Sequence, residues 1–418
     1  MQNEMYKKLQ TVLVNSDFFL LLLSRFISQL GDKIFLPAIL WFSVDSDHGS
    51  STKIGIISLV MVLPVLFNIF TGVFVDRYDK KRMMLFSDFI RFFLCIALYI
   101  NEVAFHFFWP VIVIVFVIEL LGQFYNISSA AIIPSITSQD QYLKANSYLT
   151  MIENATSIIG FACSGVLIGL LGFQYIIFIN GISFFMSGLC IWKMKYVKSN
   201  EVQVNQAKKE FKKEFLEGVK VVIGNSIIRR LIITIFIVNL ASASLEMLIT
   251  MWAHDILRIG SEKYGIMLTA ILVGSLIGSV VTNIKVIKKL NPETAISLAV
   301  VTFGFALSFI TFFKSFILSL FVFSFVGISL SIASIHFSTL IMNNTEKDHL
   351  GKVFGMIQVL IRGGQPLGIT IVTALLQFVP VNWMIFSIGA IVFIGGLYLV
   401  STFRIPNINR EQKKQLGT

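Results

Sequence analysis

Charge is scarce in this 418-residue sequence: 14% of the residues are Asp, Glu, Lys or Arg, against roughly 25% in soluble domains. A water-exposed globule of this length has no means of covering the 56% of residues that are hydrophobic, so a soluble fold is excluded. Cysteine is scarcer still. Cys95, Cys163 and Cys190 each sit inside an apolar run, which argues against a disulfide framework and suits small packing residues. The sequence holds no phosphate-binding loop, H-E-x-x-H pair, metal-spaced Cys/His cluster or nucleophile elbow. These gaps point away from an enzyme, and neither a metal nor a cofactor is expected. Without a phosphate-binding loop, any pumping would draw on an ion gradient or a substrate gradient. A cleavable leader is not expected either, because the first apolar run is longer than a leader core and carries Arg25 and Asp32.

What the chain has instead is long apolar runs and 40 phenylalanines. A bilayer-crossing helix needs roughly 20 mostly apolar residues, and twelve of them account for the hydrophobic share. The runs lie near 18–44, 54–75, 83–101, 107–131, 147–171, 174–194, 229–253, 264–284, 293–313, 315–342, 352–376 and 383–403. Only helices and closed barrels satisfy backbone polar groups in lipid. Runs this long and continuous are helices, so the expected fold is an all-α integral membrane protein of twelve spans.

The net charge of +11 would suggest nucleic acid in a soluble protein; here it reflects loop bias. With the N-terminus inside, inner segments hold 26 Lys and Arg and outer loops hold four, Lys53, Arg258, Lys263 and Lys314. The positive-inside rule then predicts both termini in the cytoplasm. The hydrophilic stretch 195–228 divides the chain into two six-span halves, 1–194 and 229–418. Within it Phe211, Phe215, Leu216, Val219, Val222 and Ile223 recur at helical spacing among charges, as in an amphipathic helix on the inner membrane surface or a plain connecting helix. The halves echo one another: Gly160, Gly165 and Gly169 in span five face Gly363, Gly364 and Gly368 in span eleven as a weak internal repeat.

The sharpest motif joins spans two and three: Gly72-Val73-Phe74-Val75-Asp76-Arg77-Tyr78-Asp79-Lys80-Lys81-Arg82. It resembles the G-x-x-x-D-R-x-x-x-[RK]-R signature of the major facilitator superfamily. Gly72 would allow a close helix approach, Asp76 would sit at a helix N-terminus, Arg77 would pair with an acid, and Lys81 and Arg82 would anchor the loop inside. Further stretches are similar to the macrolide-efflux and siderophore-exporter branch. They are Gly31-Asp32, Phe124–Pro134, Lys144-Ala145-Asn146-Ser147, Ile159-Gly160 to Gly165, Glu217-Gly218 and Leu350-Gly351-Lys352-Val353-Phe354. The resemblance implies two six-helix bundles, a central cavity, alternating access and proton-driven export. It also implies that spans five and eight meet across the halves, which would use the G-x-x-x-G pairs Gly165/Gly169 and Gly274/Gly278. Two departures stand out: Glu119 takes the place of a span-four arginine, and Gly160-Phe161 takes the place of a Gly-Pro pair.

Charges inside a bilayer are costly, roughly 2.5–3.5 kcal/mol on insertion scales, and so face a cavity or a partner. Arg25, Asp32, Asp88, Arg91, Glu119, Glu153, Glu246, His336 and Arg362 are such residues. The family's architecture puts spans one, four, seven and ten around the cavity, which singles out Asp32, Glu119, Glu246 and His336, with Arg25 a counter-ion for Glu119. Asp88 and Arg91, spaced i, i+3, can pair on one helix face and are expected to support the Asp76 motif. His336 is either a proton site or a hydrogen-bonded packing residue. The expected function is export of a drug-like or secondary-metabolite amphiphile against protons, by a monomer in the bacterial cytoplasmic membrane, with lipids as its surroundings and no nucleic-acid partner. A lipid-handling or uptake carrier on the same fold, and a receptor or scaffold without transport, are the alternatives. In a cysteine-free background, Ser50→Cys is expected to react with an impermeant maleimide from outside, and Asn205→Cys and Arg410→Cys only after permeabilisation. Outside labelling at 205 or 410 would overturn the topology.

Overall fold

The computed structural model describes residues 15–45, 51–138, 141–196, 219, 222–282, 284, 290–345 and 349–415. The stretch 197–218, which carries most of the candidate amphipathic helix and Glu217-Gly218, lies outside the described residues. Everything regular among the described residues is helical.

In chain order, span one is Ser16–Asp45. Span two runs from Ser51–Val62 through a 3-10 turn, Leu63–Phe67, into Asn68–Arg77. Span three is Lys80–Ile100, span four Phe108–Ala131, span five Tyr142–Leu171 and span six Phe173–Lys193. Span seven is broken into Ser226–Ser242 and Leu245–Met251, followed by a π turn, Trp252–Ile256. Span eight is Ser261–Val281, span nine Pro292–Ile310, span ten Phe316–Asn344, span eleven Leu350–Leu375 and span twelve Val381–Gln415. Among the described residues nine of these are long and apolar enough to cross a bilayer unaided. The other three fall short for visible reasons. Span one carries Asp17, Arg25, Asp32 and Lys33. Span two is interrupted at Pro64, whose ring removes a backbone donor and ends the α-helical ladder. Span eleven carries Gln358, Arg362, Gln365 and several glycines.

The chain forms two compact units, residues 1–48, 56–205 and 260–265 in the first, and 49–55, 206–259 and 266–418 in the second. Within the first, span one packs along spans five and six, and span three along spans four and six. Within the second, span seven packs along spans eleven and twelve, and span nine along spans ten and twelve. Adding six to each number in the first set gives the second set. The weak glycine echo in the sequence thus corresponds to a full repeat of helix pairings.

Water does not drive helices together in lipid; close packing does, and small residues permit it. Spans nine and twelve show the device best. A Cβ on Gly304 would sit 2.3 Å from the backbone nitrogen of Phe393, and one on Gly396 would sit 2.6 Å from that of Val301. Large apolar side chains such as Phe86, Leu170, Phe312 and Phe321 point outward, each more than 60% exposed, as a lipid-facing surface requires. Gly304→Val is expected to destabilise the protein by roughly 1–3 kcal/mol through overpacking, read as a lowered thermal midpoint in detergent. Gly72→Ala, where a Cβ meets nothing within 4 Å, should leave the midpoint unchanged. Equal midpoints for the two variants would show that the nine/twelve contact tolerates separation.

Candidate functional site

Span three carries Asp88 and Arg91 on its bundle-facing side, buried to 0% and 2% exposure. The guanidinium Nη2 donates to Asp88 Oδ1 at 2.5 Å and to Ser28 Oγ at 3.2 Å. Its Nη1 lies 3.5 Å from Asp32 Oδ2. The second oxygen of Asp88 accepts from the Ser187 hydroxyl at 2.6 Å. The guanidinium stacks over Phe184, 4.0 Å from the ring centroid, and lies 5.3 Å from that of Tyr125. A desolvated cation over an aromatic face gains about 2 kcal/mol. Tyr125 in turn shares a hydrogen bond with Ser24 at 3.0 Å. One cation therefore ties spans one, three, four and six together.

Gly122 leaves space for this cation; a Cβ there would be 3.6 Å from Arg91 Nη1, and a longer side chain would collide. Glu119, one turn away on span four, lies within the electrostatic reach of Asp32, Arg91 and Lys33. Lys33 has its own partner: its Nζ sits 5.6 Å from the Phe161 ring centroid. The Phe that replaces a proline of the family pattern thus covers a lysine, and the neighbouring Gly160 lies directly against the Lys33 backbone.

Several expected placements change. Asp88 and Arg91 pair with each other and join Asp32 in the bundle interior. Arg25 does not neutralise Glu119. It donates to Ser129 Oγ at 3.1 Å, ten residues along span four from Glu119, or about 15 Å at helical rise. Gly72 makes no close helix contact among the described residues. Gly274 and Gly278 pack span eight on span ten, at Ser324 and Ile328, within the second unit. Gly165 does lie against the backbones of Ser261 and Gly265, and Gly169 beside Glu262, within the first unit.

In the loop motif the side chain of Asp76, the penultimate residue of its helix, is outside the described set. Arg77 is exposed and makes no ion pair among the described residues. Two other residues carry the visible contacts. Asp79 caps span three by accepting from the Arg82 backbone N–H at 2.8 Å. Lys81 donates from Nζ to the Met194 carbonyl at 2.5 Å, at the negative end of span six. Glu246 begins the second segment of broken span seven. His336 is 7% exposed and donates from Nδ1 to the Ile332 carbonyl at 2.9 Å.

The sequence reading missed Ser28, Ser187, Phe184 and Tyr125. A signal existed for one side of the network: Ser24, Ser28 and Asp32 follow at i+4 spacing, a polar stripe on an otherwise apolar helix.

The fold is that of a multi-pass membrane transporter. The family profile described as Major Facilitator Superfamily matches residues 21–369, and the chain belongs to that superfamily. It is 24% identical over 361 residues to the Staphyloferrin A transporter of Staphylococcus aureus, covering 84% of this chain and 86% of that one. It is 20% identical over 406 residues to Macrolide efflux protein A of Streptococcus pyogenes, covering 96% and 97%. A crystal structure of a point mutant of the nucleoside transporter NupG superposes with a TM-score of 0.72 at 12% identity, covering 92% of this chain and 99% of that one.

Arg91→Leu strands the buried Asp88 and the part-exposed Asp32, and removing one partner of a buried pair typically costs about 3–5 kcal/mol. Its thermal midpoint is expected to fall well below that of the double variant Arg91→Leu/Asp88→Leu. A double variant no more stable than the single one would show that Asp88 does not depend on Arg91.

Proposed function

We propose that this protein exports a small amphiphile across the bacterial cytoplasmic membrane in exchange for protons, with both termini in the cytoplasm. One observation carries the reading. Asp32, Asp88 and Glu119 share a bundle interior with two cations, Arg91 and Lys33. Asp88 is held by Arg91 and Ser187. Three carboxyls against two cations leave one acid without a full counter-charge, and bilayer interiors tolerate such an acid only where it has a proton or water.

Asp32 is the group placed to exchange. Its carboxylate is 36% exposed and sits 3.5 Å from the guanidinium, long for an ion pair that already has a shorter competitor. Protonation of Asp32 would return Arg91 wholly to Asp88; loss of the proton would draw it toward span one. The proton balance is thereby coupled to the contact between spans one and three, which is the kind of change a rocking bundle needs. The similarity to a macrolide exporter and a siderophore transporter supports the direction and the cargo class.

The test uses inverted vesicles with an acidic interior and an acridine reporter of the pH gradient. Adding erythromycin, ethidium or an iron-free siderophore should evoke proton efflux in the parent protein for at least one probe. Asp32→Asn and Glu119→Gln should each cut that efflux about tenfold, and Asp32→Glu should restore part of it. Full efflux in both neutral variants would remove these acids from coupling.

A further inference from the structure

The second unit contains a cavity of about 240 Å³ whose lining holds no ionisable side chain. Its walls come from span seven (Ile235, Val238, Asn239), span nine (Ile296 to Phe303), span ten (Ser329 to Phe337) and Ile361 of span eleven. Ile296, Val300 and Phe303 form its deep end at 5% exposure or less. Asn239 and Ser334 are polar exceptions, and both are incompletely used. Asn239 donates from Nδ2 to its own helix at Ile235, which leaves Oδ1 without a hydrogen bond among the described residues. The Ser334 hydroxyl likewise has no partner there, and Ser334 is exposed at the mouth. Ser329, by contrast, is tied to Thr302 at 3.1 Å.

A largely apolar pocket with one unbonded acceptor and one unbonded hydroxyl selects for a particular chemistry. An apolar group fills the depth, and a single neutral donor, such as a hydroxyl or amide N–H, meets Asn239 Oδ1. A cation finds no carboxylate in the lining, and the Phe303 and Phe337 rings alone would leave most of its desolvation uncompensated. Ile235 to Asn239 lie about 14–20 Å along span seven from its start at Ser226, near the middle of a bilayer core roughly 30 Å thick. That is a depth which an apolar moiety partitioned into the membrane reaches.

We infer that this cavity is a binding site for an uncharged amphiphile that inserts an apolar moiety between spans seven, nine and ten and hydrogen-bonds to Asn239. The inference rests on the export reading only in taking that amphiphile to be the cargo. It separates the two tasks: the Arg91 network lies in the first unit, and recognition of a neutral molecule in the second.

Binding is measured on the purified full-length protein with N-phenyl-1-naphthylamine, a neutral probe with one N–H donor whose fluorescence rises in apolar surroundings. Saturable binding is expected above the detergent background. Asn239→Leu, which keeps the volume and loses the acceptor, should weaken it about fivefold. Ala299→Phe, which fills the depth, should abolish saturation, with size-exclusion profiles confirming that both variants remain folded. Tetraphenylphosphonium should not compete. Unchanged probe affinity in Asn239→Leu, or displacement by the cation, would overturn the inference. So would a phospholipid that co-purifies with the parent and is lost in Ala299→Phe, because the occupant would then be an acyl chain. Probe binding is read on the detergent-solubilised protein without a pH gradient, so a failure of proton coupling in vesicles and a failure of this site are read separately.

Discussion

A guanidinium buried in a membrane bundle sets terms that the neighbouring helices must meet. Arg91 cannot give up its charge, and its desolvation is repaid only by good geometry with several partners. Asp88, Asp32, Ser28 and the Phe184 ring supply that geometry from three different spans. Each partner therefore fixes a rotation of its own helix: span one must present Ser28 and Asp32, span six must present Phe184 and Ser187, and span four must keep a small residue at 122. A membrane bundle held by apolar contacts alone has many near-equivalent rotations, because lipid tails compete with any apolar side chain. The cation removes that degeneracy in the first unit.

Much of the architecture was open to sequence reasoning, because the bilayer demands long apolar runs and permits little else. The breaks were less open. Nothing in the apolar pattern marks the interruption of span seven at Ala243 and Ser244, since the runs on either side are equally hydrophobic. The site divides in the same way. Charged residues in apolar runs announce themselves, and the i, i+3 spacing of Asp88 and Arg91 was enough to expect their pairing. Their serine and phenylalanine partners belong to residue types common throughout the chain and carry no mark. The assignment of Arg25 to Glu119 failed for a related reason. A sequence gives the position of a residue along its own helix but not the offset between two helices, and the Ser129 contact shows an offset of nearly three turns. Gly274 and Gly278 illustrate it again: the motif says that a close neighbour exists, and only the packing says that it is span ten.

The repeat of pairings permits one further step. Spans three and six in the first unit correspond to spans nine and twelve in the second, yet the two contacts are built differently. Between spans three and six the ties are ionic and polar, Asp88 to Arg91 and Ser187, and the glycines there meet side chains: a Cβ on Gly188 would lie 3.5 Å from the Phe89 ring, and one on Gly181 3.0 Å from the Cys95 side chain. Between spans nine and twelve the backbones themselves touch, with a Cβ on Gly304 placed 2.3 Å from a main-chain atom and one on Gly389 placed 2.6 Å from another. A contact made of protonatable groups changes strength when a proton arrives. A contact made of glycine backbones does not, because close packing has no titratable part and little compressibility. The two units have thus kept one topology while placing its adjustable interaction in only one of them. A transporter built this way can answer a proton in its first bundle while its second bundle keeps a fixed shape, and a fixed shape is what recognition of a neutral, weakly hydrogen-bonding molecule requires.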